Sequence, residues 1–185
     1  MDLIKERFPS KQEIVLLFFI CLIPVHIWAY IIFFYDVPAY VLRMGIWDIL
    51  GILAYIQVVA LVESIIFLLG WIFVNITLPT RFFRDKFLPM GVVLMIITFF
   101  WIMVLHYQET IISALAYNMS YYQIFVILWI IVYFAIIVGL SILIRRSQKF
   151  EEILCKVPEK FSPLAILYLA LDVIAIVFLA IRFIG

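Results

Sequence analysis

The chain has 185 residues, of which 69% are hydrophobic, against about 45–50% for an ordinary soluble domain. With a mean hydropathy of +1.27 and a formal net charge of +1, the composition belongs to a bilayer protein and excludes a basic nucleic-acid-binding surface. Two cysteines, Cys21 in an apolar run and Cys155 in a charged one, lack a CxxC spacing and make neither a disulfide framework nor a zinc knuckle.

The first thirteen residues mix Lys5, Arg7 and Lys11 with Asp2, Glu6 and Glu13, and the apolar run behind them ends in no small-x-small cleavage site. This reads as a tail before a retained first span, about 14–35, which Pro24 should kink, with His26 just beyond. A short loop, 36–45, carries Asp36, Pro38 and Arg43.

The longest apolar run begins at Ile46 and continues to Leu78, with no proline before Pro79. About 20 helical residues cross a 30 Å hydrocarbon core, so this second span, about 46–74, must tilt or project. Asp48 stands near one end and Glu63 near the middle. At 100° per residue they share a broad face with Ile52, Tyr55, Val59, Ile66 and Gly70, and that face is expected to point into protein.

A proline-bounded hairpin follows, PTRFFRDKFLP, in which Arg81, Arg84 and Lys86 alternate with phenylalanines. Positive charge and an aromatic belt explain it; with Arg145 and Arg146 it is also a candidate docking site for an anionic headgroup or a partner. Span three is about 88–107. The mildly polar stretch 108–120 reads as an interfacial helix or an extension of that span, and holds the sequon Asn118-Met119-Ser120. Span four, about 121–144, contains no charge.

In the charged segment from Arg145, residues Phe150, Ile153, Leu154, Val157 and Phe161 recur at helical spacing. An interfacial amphipathic helix is expected there, stopped by Pro158. Pro163 suits the first turn of span five, about 163–184, which carries Asp172 near its centre and Arg182 near its end.

Lysine and arginine sort by loop. With five spans, eleven fall on one side and two, Arg43 and Arg182, on the other. The positive-inside rule then puts the N-terminus in the cytoplasm and the C-terminus outside. The expected fold is an all-α, five-span transmembrane bundle forming one domain, its faces packed by large aliphatic and aromatic residues.

Two constellations carry candidate chemistry. Glu63, Asp172 and His26 are the intramembrane polar residues, and no lysine or arginine shares their depth. Asp36, Asp48, His106, Glu109 and Arg182 gather at the outer boundary, where interfacial polar groups and an Asp48–Arg182 or Asp36–Arg43 pair are expected. His106 and Glu109 at i,i+3 share a helix face with a ligand spacing found in helical metal sites, but the chain has only two histidines and His26 lies too deep to join, so no metal site is expected. No P-loop, GxGxxG, HExxH or paired-histidine haem pattern occurs, and no cofactor is expected. The leading expectation is a non-catalytic accessory or structural membrane subunit acting on the bilayer with a partner membrane protein or as a homo-oligomer. The alternatives are a small transporter or channel subunit using the intramembrane carboxyls, and a membrane-embedded enzyme with an outer-face His/acid site.

Overall fold

The computed structural model describes residues 9–77, 86–107 and 119–184. They form five helices: α1 Lys11–Val41, α2 Ile46–Thr77, α3 Phe87–Tyr107, α4 Met119–Arg146 and α5 Gln148–Ile184. All five are long and apolar enough to cross a membrane. The 21 residues of α3 measure about 31 Å and just fit the hydrocarbon core, while the 37 of α5 measure about 55 Å.

The helix ends follow local chemistry. Ser10 caps α1 in a capping box: its Oγ accepts from the Glu13 amide at 3.2 Å, and Glu13 Oε2 accepts from the Ser10 amide at 2.9 Å. Between α1 and α2 the Tyr40 carbonyl accepts from the Arg43 and Met44 amides, and the Gly45 carbonyl from Asp48 and Ile49. The turn is therefore shorter than the expected loop, because α1 continues through Pro38 to Val41. A proline removes one intrahelical bond, and tertiary packing outweighs that loss.

The expected stop at Pro158 does not occur. The amphipathic segment is the first part of α5, which runs on through Pro158 and Pro163. Pro163 has no amide hydrogen, so the Glu159 carbonyl loses its helical donor; Ser162 Oγ supplies one at 2.8 Å. Phe150, Leu154 and Val157 of the apolar stripe pack on the core as the pattern implies, whereas Ile153 and Phe161 are exposed.

Helices α1, α2 and α5 pack on one another, α3 lies against α1 and α5, and α4 leans on α3 and α5. Two ion pairs mark opposite ends of the up-and-down bundle. At one end Lys86 Nζ bonds Glu151 Oε2 at 2.6 Å and the Ile144 carbonyl at 2.9 Å, joining α3 to α4 and α5. At the other, Arg182 Nη2 bonds Asp48 Oδ1 at 2.7 Å.

The buried face of α2 is Gly51, Ala54, Gln57, Ala60, Ser64, Trp71 and Asn75. The expected inward face is the outward one: Tyr55 is 63% exposed and Ile66 62%, and Glu63 and Gly70 are exposed with them. The expectation of packing by large residues fails here for the same reason. In hydrocarbon a large aliphatic side chain gains nothing by leaving lipid, so helices meet where small residues let their backbones approach. Large residues do fill the α1–α3 seam, where Leu17, Met95 and Phe99 are buried. Among the described side chains of α4 only Ile144 is buried.

Candidate functional site

The intramembrane polar residues separate into a sealed pair and an open groove. His26 of α1 and Asp172 of α5 meet inside the three-helix unit, with Nε2 3.0 Å from Oδ1 and both residues essentially inaccessible, at 0% and 1%. His26 Nδ1 lies 2.8 Å from the Leu22 carbonyl. A carbonyl only accepts, so Nδ1 carries a proton, and one further proton is shared between Nε2 and Oδ1. Whichever atom holds it, the pair is neutral as a unit, which is what makes it tolerable at this depth.

Neighbouring turns complete the cluster. Tyr168, one turn before Asp172, stacks on the His26 ring at 4.9 Å and 16°. Tyr30, one turn after His26, donates to Gln57 Oε1 of α2 at 2.6 Å. Asp172 Oδ2 and Gln57 Nε2 are buried without a hydrogen-bond partner among the described residues. Tyr30, Gln57 and Tyr168 were not singled out from the sequence. Their signal was the i,i+4 spacing of His26 with Tyr30 and of Tyr168 with Asp172, together with a glutamine on the small-residue face of α2.

Glu63 does not join this cluster. It is exposed in an apolar groove of about 550 Å³ on the flank of the bundle, walled by Val25 and Trp28 of α1, Val59 and Phe67 of α2, and Phe99 and Met103 of α3. It is the eighteenth of the 32 residues of α2. Among the described residues it has no hydrogen-bond or ion-pair partner.

The residues expected at the outer boundary are brought together only in part. Arg182 binds Asp48 and, through Nη1, the Trp47 carbonyl at 2.9 Å, as the expected pairing requires. Asp36 accepts from Tyr40 Oη at 3.4 Å instead of pairing with Arg43. His106 is exposed and meets Trp28 edge-on at 5.1 Å. Glu109, like Arg81, Arg84 and Asn118, lies outside the described residues. Among the described residues no three His, Cys, Asp or Glu side chains gather as metal ligands. Of the basic docking candidates, Lys86 is engaged in joining helices, while Arg145 and Arg146 are exposed at the end of α4.

The fold defines an integral membrane protein of five apolar helices. Comparison of the chain with family models, with curated proteins and with solved structures finds no match.

Proposed function

We propose that the protein is a non-catalytic accessory membrane subunit, acting through helix–helix contacts in the bilayer and through its charged end segments. One observation carries the reading: the intramembrane acids divide between a neutralised lock, His26–Asp172, and a carboxylate, Glu63, that the chain leaves open to its surroundings. A lock holds helices together, and an open acid at such depth awaits contact from outside the chain. The loop charges further support the Lys86 end as cytoplasmic, with the N-terminus inside and the C-terminus outside.

A second reading has its own support. Asp172 Oδ2 and Gln57 Nε2, buried and unsatisfied beside His26, suit a proton relay in a small transporter or channel subunit. Proteoliposomes separate the two. The accessory reading expects proton and cation flux no greater than in protein-free vesicles. Flux above that level that disappears in Asp172→Asn would replace it with the transporter reading.

A further inference from the structure

We propose that the Glu63 groove receives a transmembrane helix of another protein carrying a lysine or arginine at the depth of Glu63. This rests on the accessory reading and names the chemistry of the partner.

The groove has the shape of a helix seat. Its lining on α2 runs from Tyr55 to Phe67, about 18 Å along the axis or more than three turns. Exposed side chains form a regular stripe along it and past its end: Tyr55, Val59, Val62, Ile66, Leu69 and Phe73 are all exposed. Their spacing alternates between four and three residues, the seam of two helices crossing with a left-handed twist. Glu63 flanks this seam. Gly70, seven residues on and on the same flank, faces open space, with nothing within 4 Å of where a Cβ would stand. A second helix can approach closely at Gly70 and place a side chain against Glu63.

Charge selects the occupant. A lone carboxylate in hydrocarbon calls for a cation. A headgroup amine cannot supply it, because Glu63 lies fifteen residues, about 22 Å along α2, from Asp48 at the Arg182 end and fourteen residues, about 21 Å, from Thr77 at the other. A second copy seated here in parallel would bring another Glu63 to the same level; of its two histidines, His26 is buried and already bonded to Asp172, and His106 stands three residues past Met103, where the groove lining on α3 ends. What remains is a helix of a different chain with a basic residue in its apolar span.

The test uses the whole protein in phosphatidylcholine vesicles with synthetic polyleucine transmembrane peptides. One peptide set carries a single lysine placed in turn at each central position; the control has leucine throughout. Association is read by energy transfer between labels on protein and peptide. At least one lysine peptide is expected to bind at least tenfold more tightly than the control. Glu63→Gln should abolish that preference, and Val59→Trp, which fills the groove, should weaken binding of the same peptide. Asp36→Asn should change neither. Equal binding of control and lysine peptides, a preference that survives Glu63→Gln, or pairing of two labelled copies that Val59→Trp blocks would each overturn the proposal. So would failure of the whole lysine series to bind. Failure in vesicles that carry no flux removes the cationic helix and leaves the accessory reading standing. Flux that depends on Asp172 removes the accessory reading itself.

Discussion

Trp71 stands where Gly91 has no side chain. A Cβ on Gly91 would lie 2.7 Å from Trp71 Nε1 and 2.9 Å from both terminal carbons of Leu17. Three helices therefore share one narrow place, and Trp71 (3% exposed) and Leu17 (0%) are both walled in. Neither neighbour has a free direction to move, so Gly91→Ala should lower stability by about 1–3 kcal/mol through overpacking. Reversible unfolding in mixed micelles measures it; an unchanged midpoint would show that the seam is looser than described.

The His26–Asp172 contact makes an unequal double-mutant cycle. His26→Leu leaves an aspartate buried with neither oxygen paired, and should destabilise by about 2–3 kcal/mol. Adding Asp172→Leu removes the stranded group, so the double variant should be more stable than His26→Leu alone. The reverse order of stabilities, by the same unfolding assay, would mean that the aspartate finds another partner.

At the opposite end the expectation is smaller. Arg182 lies across Gly51, where an added Cβ would collide with its Nη1, and the colliding group is the far end of a flexible side chain. Arg182 is 34% exposed and Asp48 53%, so solvent screens the pair and either Arg182→Gln or Gly51→Ala should shift stability by no more than about 1 kcal/mol. Because both act on the same contact, their effects should not add.

Ser162 and Pro163 should also be coupled. Ser162→Ala strips the Glu159 carbonyl of its donor and should cost about 0.5–1.5 kcal/mol. In a Pro163→Ala background the restored backbone amide takes over, and the serine change should become silent. Amide exchange in the turn containing Glu159 reads the same coupling locally; protection unchanged in all three variants would refute it.

Glu63→Leu should behave unlike the core variants. It removes an exposed acid from hydrocarbon, so the isolated protein should become as stable as before or more so. A loss of stability comparable with that of His26→Leu would mean that Glu63 is a structural member of the bundle.

How far the sequence was legible depended on which physical rule governed each residue. Apolar length placed all five spans, and the alternation of five spans put Asp48 and Arg182 at one boundary, where they pair. His26 and Asp172 stood out as polar groups in apolar runs, but their contact depends on α1 and α5 being neighbours, which no local pattern encodes. The face of α2 was misread because two rules conflict there. Sending the acid inward is correct for an isolated carboxylate, but the seam of Gly51, Ala54, Ala60 and Ser64 decides which side meets protein. The proline stop at Pro158 failed because such rules count the lost amide, whereas packing of Phe150, Leu154 and Val157 favours continuing the helix.

The unit formed by α1, α2 and α5 joins the earliest of the described helices to the last. His26 precedes Asp172 by 146 residues, so during synthesis α1 and α2 enter the bilayer with half of their polar lock unmet. The hairpin must wait, His26 facing lipid or the insertion machinery without Asp172, until three further helices have been made. Closure of the bundle is thus a test of completeness. A chain that stalls before α5 carries an unpaired histidine in its membrane, a mark by which quality control can tell an unfinished molecule from a finished one.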